Sequence, residues 1–202
     1  MIVTHDFVWG HMPKTGGTSF WKFIDNHGRD FLEFRSRKHI FFKDMMEEYN
    51  SKKYYLLDGK KKKVISLDMP KYRVLGFRRL PSMLISNAFF LKERHGTDIG
   101  RKYISNGLQY AKNMSNIKFS DDELEMWEPD LVSKFIRCEF MYEDYNSLFD
   151  NFNYRINISN SHYNKVEHPK ATEYFSRTEI DRIYNNNPLW AKIEESLYGS
   201  LL

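Results

Sequence analysis

The chain has 202 residues, 41% of them hydrophobic and 16% aromatic, which is enough to bury a substantial core. Its 31 Lys and Arg against 27 Asp and Glu leave a net charge of +4, which suits an anionic cosubstrate or a polyanionic acceptor and argues against non-specific nucleic-acid binding. One cysteine, Cys138, excludes an internal disulfide and any Cys/His metal spacing, and fits a reducing compartment.

Residues 6–10 form an apolar, β-prone run, and Phe20-Trp21-Lys22-Phe23-Ile24 opens an amphipathic pattern that predicts a helix over 18–27. Between them lies His11-Met12-Pro13-Lys14-Thr15-Gly16-Gly17-Thr18-Ser19. Strand, glycine turn and helix in that order build an anion cradle. The glycines let backbone N–H groups turn inward, the helix N-terminus adds a partial positive charge and Lys14 adds a full one. Thr15, Thr18 and Ser19 supply hydroxyl donors, and Thr18 or Ser19 is placed to cap the helix. The nucleoside-triphosphatase pattern G-x-x-x-x-G-K-[ST] puts its lysine after the glycines. Here the lysine comes first, Gly10 lies before it, and no G-K-[ST] follows.

Pro13 through Ser19 resembles the 5′-phosphosulfate loop of sulfotransferases that use 3′-phosphoadenosine 5′-phosphosulfate (PAPS), and is closest to the carbohydrate-type group, where H-x-P-K-T-G-G-T-S is usual. The resemblance implies contact of the cosubstrate with Lys14, Thr15, Gly16, Gly17, Thr18 and Ser19. It implies no metal. His11, beside the loop, is expected to shape it. The acceptor hydroxyl needs a base, and His39, in Arg35-Ser36-Arg37-Lys38-His39, resembles the histidine that carbohydrate-type relatives carry at the start of a helix. An imidazole titrating near neutrality suits that role. Glu33, Glu47 and Asp68 are carboxylate alternatives.

A short strand over 31–34 and a helix over 40–49 follow. Two β-prone runs, 54–57 and 64–67, flank Asp58-Gly59-Lys60-Lys61-Lys62-Lys63, a hairpin signal with a loop longer than two residues. The four lysines read as a solvated loop tip, or as a contact for a sulfated or uronic-acid polymer. Tyr72 to Phe77 is a strong strand running straight into Arg78, and Pro81 opens a helix through about residue 94. Sulfotransferases carry an arginine at the end of this strand and a serine eight residues later, both on the nucleotide's 3′-phosphate; the match is Arg78 and Ser86, with Arg79 a substitute. A dianionic phosphate calls for a planar, permanently charged donor, which arginine supplies in bidentate form.

Further on, the pattern predicts a helix over 99–112, a polar surface excursion over 113–129, a strand over 132–136 and helices over 142–149 and 178–198. Ile136-Arg137-Cys138-Glu139 through Asp144 resembles the family's I-R-F-E-x-L-x-x-D segment. His162-Tyr163-Asn164-Lys165 resembles its late loop near the nucleotide, with Asn164 and Lys165 as contacts. Strands alternating with helices argue for one α/β domain over 1–202 with a mainly parallel sheet; the resemblance makes it a P-loop-NTPase-like three-layer domain flanked by helices.

No run approaches the roughly 20 apolar residues of a membrane span, and the first residues lack a signal peptide's basic start and apolar core, so a cytoplasmic protein is expected. The expected activity is transfer of a sulfuryl group from PAPS to a hydroxyl or amine of a carbohydrate or glycoconjugate. The alternatives are a phosphate-loop nucleotide kinase, and a non-catalytic module that binds the nucleotide or a sulfated glycan.

Overall fold

The computed structural model describes residues 2–4, 6–27, 34–35, 41–44, 55–58, 61–64, 70–110, 117–154 and 166–202. In chain order the first elements are strands β1 (Ile2–Val3) and β2 (Phe7–Gly10), helix α1 (Gly17–His27) and strand β3 (Phe34–Arg35). Strands β4 (Tyr55–Asp58), β5 (Lys61–Val64) and β6 (Tyr72–Phe77) follow, then helices α2 (Leu80–His95) and α3 (Arg101–Ile104). Next come strands β7 (Leu108–Tyr110) and β8 (Ile117–Phe119), helix α4 (Ser120–Glu125) and strand β9 (Lys134–Arg137). Helices α5 (Met141–Asn151), α6 (Ala171–Tyr174), α7 (Arg177–Asn185) and α8 (Pro188–Tyr198) come last. The fold is mixed α/β, and the chain divides into two compact units: Met1–Phe77 with Trp127–Asn164, and Arg78–Met126 with Lys165–Leu202.

In the first unit five strands lie in the order β3-β1-β2-β6-β9. Strands β2, β6 and β9 are parallel, with Gly10 opposite Leu75 and Phe77 opposite Arg137. The expected parallel sheet is therefore parallel over three strands only, because β1 runs antiparallel to both β2 and β3. The reason is the turn between β1 and β2, where the Thr4 hydroxyl accepts from Phe7 N at 3.0 Å and from Asp6 N at 3.2 Å. A connection that short permits only antiparallel pairing.

All four β2 residues are buried, as befits a strand covered on both faces. Phe20 and Phe23 lie three apart and turn one face of α1 onto Tyr145 and Phe149 of α5. The Phe20 and Tyr145 rings stack at 4.2 Å, and Trp9 of β2 stands 4.6 Å from Phe20. Each ring so buried stabilises the fold by about 1.5–3 kcal/mol. Residues 42–44 are helical, inside the expected 40–49 helix, of which 40 and 45–49 lie outside the described residues.

The lysine run departs from expectation. Asp58 pairs with Lys61 and Leu56 with Lys63, so Lys61, Lys62 and Lys63 belong to β5 and only Gly59 and Lys60 fall between the paired positions. Lysine is a poor strand former but is well tolerated on an edge, and both strands of a two-stranded sheet are edges.

In the second unit α2 carries Pro81 in its first turn and ends at Gly96, whose φ of 63° lets its N–H reach Lys92 O. Leu80, Met83, Leu84 and Ile85 are among its buried residues. The helix expected over 99–112 is confined to α3, and the chain then turns through Gly107 (φ 75°) into β7, which pairs antiparallel with β8. The stretch expected as a polar excursion contains α4, and its polarity serves a helix terminus. The Asp121 carboxylate accepts from Leu189 N at 2.7 Å and Trp190 N at 2.8 Å, capping α8. The helix expected over 178–198 is two helices, since Pro188 has no N–H to continue α7 and starts α8 instead. Asn187, at the break, is fully buried; its amide donates to Ile183 O at 2.8 Å and Gly107 O at 3.2 Å, and its Oδ1 accepts from Asp121 N at 3.1 Å.

Candidate functional site

The chain leaves β2 through His11 and Met12 into a turn at Pro13 and Lys14, and α1 starts at Gly17. Lys14 has φ 67° and Gly16 φ 82°. A left-handed lysine costs on the order of 1–2 kcal/mol, and such residues cluster where a turn is shaped for a ligand. Two glycines let the loop pack closely. A Cβ on Gly17 would lie 2.0 Å from His11 Cδ2, and one on Gly76 of β6 would lie 2.5 Å from Thr15 Oγ1. The buried His11 ring is stacked on Trp9 at 5.2 Å, and it is the side chain that a Cβ on Gly17 would meet.

Thr15 is buried, and its hydroxyl donates to Met12 O at 2.8 Å, so that proton serves the loop's own fold. Thr18 is half-buried and Ser19 buried on the first turn of α1. That turn contains no acidic residue, so nothing in it offsets the positive end of the helix dipole. Two of its amides close the turn, Ser19 N donating to Gly16 O at 3.0 Å and Phe20 N to the same oxygen at 3.4 Å.

The downstream motif is a clasp. Arg137 donates from N and Nε to Asp144 Oδ2 at 2.8 and 2.9 Å, and from Nη2 to Oδ1 at 2.7 Å. Asp144 is buried, and the Arg137 guanidinium also lies 4.5 Å from the Phe140 ring centre. The pair fixes the corner between β9 and α5. Cys138 lies within that corner, half-buried.

In the second unit the two adjacent arginines differ. Arg79 Nη1 donates to Glu194 Oε1 at 3.1 Å and to Ser200 O at 2.9 Å, with its guanidinium 4.3 Å from the Tyr198 ring centre. Glu194 is fully buried and also accepts from Leu80 N at 2.8 Å and from the Tyr184 hydroxyl at 2.6 Å. Burial raises the Glu194 carboxyl above its ordinary range, and the bonds from Tyr184, Leu80 and Arg79 oppose that rise. The Tyr184 hydroxyl is raised by its own burial and by the adjacent carboxylate.

Arg78 Nη2 instead lies 3.5 Å from His168 Nε2, and Arg78 O accepts from Trp190 Nε1 at 3.1 Å. Ser86 is buried near the end of the second turn of α2. Sequence reasoning misses Glu194 and His168. Glu194 lies four residues from both Trp190 and Tyr198, a spacing that puts it on their helix face and is readable in the sequence. His168 carries no such signal. His39, Glu33, Glu47, Asp68, Asn164 and Lys165 lie outside the described residues.

Among the described residues, no group of three or more His, Cys, Asp or Glu is arranged to hold a metal, and no helix is long and apolar enough to cross a membrane. Comparison of the chain with protein-family models, with curated proteins and with solved structures finds no match.

Proposed function

We propose that this chain is a sulfotransferase that moves a sulfuryl group from PAPS to a hydroxyl or amine of a carbohydrate or glycoconjugate. The observation that carries the reading is the β2-to-α1 corner. There the sequence Pro13 to Ser19 holds Lys14 and Gly16 in left-handed backbone, ahead of a helix whose first turn has no carboxylate. In this reading β2, β6 and β9 are the centre of a P-loop-NTPase-like three-layer domain, with ligands at the carboxyl ends of its strands. Lys14 and the loop amides take the 5′-phosphosulfate. Arg78 and Ser86 take the 3′-phosphate, and the engagement of Arg79 with Glu194 favours Arg78 for that part.

In the reaction the acceptor oxygen forms a bond to sulfur as the bond from sulfur to the 5′-phosphate oxygen breaks. The electron pair leaves on adenosine 3′,5′-bisphosphate, and the acceptor proton passes to a base, for which His39 is the candidate. By analogy with phosphoryl transfer the transition state is loose and in line. Catalysis is then mostly positioning, with Lys14 and the loop N–H groups stabilising the charge that grows on the departing phosphate.

The test is twofold: calorimetric titration with adenosine 3′,5′-bisphosphate, and incubation with radiolabelled PAPS and a panel of polysaccharides, glycolipids and small phenols. Binding heat and label on a glycan are expected. A folded chain that gives no heat at millimolar nucleotide overturns the reading, and ATP turnover with no response to PAPS favours the kinase alternative.

A further inference from the structure

We propose that His168 is a positioning residue for a 3′-phosphate, holding the Arg78 guanidinium ready for a phosphate monoester; this rests on the sulfotransferase reading above. His168 Nδ1 lies 2.9 Å from Pro169 O, and its Nε2 lies 3.5 Å from Arg78 Nη2. A carbonyl only accepts, so Nδ1 carries the proton and, in the neutral ring, Nε2 turns its lone pair to the arginine. The two contacts are thus compatible with one tautomer.

The ring is braced as well. Phe89 of α2 lies 6.2 Å from it, centroid to centroid. Phe89 follows Ser86 by three residues, so both occupy neighbouring positions on one helix face. Arg78, Phe89 and His168 therefore lie together within the second unit, with Ser86 one turn before Phe89 on α2. Pro169 holds the backbone next to the histidine at a fixed φ.

The chemistry follows from what each arginine touches. Glu194 is ion-paired with Arg79, whereas His168 turns a ring nitrogen to Arg78 at 3.5 Å and so orients its guanidinium. An arginine side chain fixed before its ligand arrives loses less freedom on binding, which raises affinity for the group it faces. That group, in this reading, is the phosphate that separates PAPS and its product from ordinary adenosine 5′-phosphates. His168 then acts on selectivity for the 3′-phosphate and not on general nucleotide affinity.

The experiment is calorimetric titration of the full chain with adenosine 3′,5′-bisphosphate and, separately, with adenosine 5′-monophosphate. His168→Ala is expected to weaken the bisphosphate about tenfold while leaving the monophosphate unchanged, and His168→Gln, which keeps an acceptor, is expected to restore most of the loss. If the alanine variant does not fold, His168→Phe keeps a ring against Phe89 and removes the acceptor, with the same loss expected. In an Arg78→Ala background His168→Ala should add nothing, because the histidine acts through the arginine. Equal losses for both nucleotides, or additive losses in the double variant, overturn the proposal. Retained bisphosphate preference in His168→Ala overturns it alone, whereas a wild-type chain that fails to bind the bisphosphate removes the sulfotransferase reading and this proposal together.

Discussion

Glu194 Oε1 accepts from Arg79 Nη1 at 3.1 Å while Glu194 Oε2 accepts from Leu80 N at 2.8 Å, so one buried carboxylate neutralises an arginine and caps helix α2. Truncation to Glu194→Ala strands the Arg79 charge, the Tyr184 hydroxyl and the Leu80 amide, and is expected to cost about 3–5 kcal/mol in urea denaturation. The neighbouring arginines should then separate by readout. Arg79→Ala lowers stability and leaves adenosine 3′,5′-bisphosphate affinity near wild type, whereas Arg78→Ala lowers the affinity. If Arg79→Ala instead abolishes binding, the 3′-phosphate belongs to Arg79.

Lys14→Ala is expected to abolish transfer from PAPS with the fold intact. Its left-handed backbone costs alanine no more than lysine, and in the sulfotransferase reading the lost group is the charge that meets the departing phosphate. Far-ultraviolet circular dichroism and labelled PAPS check the two halves. Wild-type turnover in the variant removes Lys14 from the mechanism.

Gly17→Ala places a Cβ on the His11 ring, since the ideal position lies 2.0 Å from Cδ2 and 2.1 Å from Nε2. The loop or the ring must shift, so nucleotide affinity and melting temperature should both fall. Adding His11→Ala makes room and should recover part of the melting temperature. A double variant no more stable than Gly17→Ala would show that the clash is not the cause.

His39→Ala is expected to lower turnover by about 10²–10⁴ with PAPS binding retained, the range for loss of a general base. Turnover and calorimetry on the same preparation decide it; unchanged turnover passes the role to Glu33, Glu47 or Asp68.

Stability should carry an acid-side signature from Glu179. Arg101 donates to its two oxygens at 3.2 and 2.7 Å, and Ser176 N donates at 2.9 Å. The bonds from Arg101 first, and then the Ser176 amide, lower its pKa to about 2. A folded-state pKa below the unfolded one stabilises the protein above the ordinary glutamate range and is lost as pH falls towards about 2. Because half of the Arg101 side chain is exposed, the effect is modest and weakens with salt. Urea midpoints measured from neutral pH downwards should fall less steeply through this window in Glu179→Gln than in the wild type. Parallel slopes would assign the acid loss to other carboxylates.

What was legible in the sequence was local. Strand β6 and the β2–loop–α1 corner announce themselves because their apolar spacing and glycine turn lie in contiguous residues. Strand β1, at two residues, is too short for any period to register. The break between α7 and α8 and the end of α3 depend on Asn187 reaching Gly107, 80 residues away, and the cap of α8 comes from Asp121, 68 residues before Leu189. Pro188 did signal the break, but the apolar spacing on either side masked it. The site divides the same way. The loop of the first unit is readable from seven consecutive residues, whereas the engagement of Arg79 in the second unit depends on Glu194, 115 positions beyond it.

The two units interleave along the chain, which passes between them after Phe77, Met126 and Asn164. No contiguous fragment therefore contains the whole of one unit without about a third or more of the other. During synthesis Arg79 and the start of α2 emerge long before Glu194 exists, so a chain halted near Asn164 would present that helix end uncapped to chaperones and proteases.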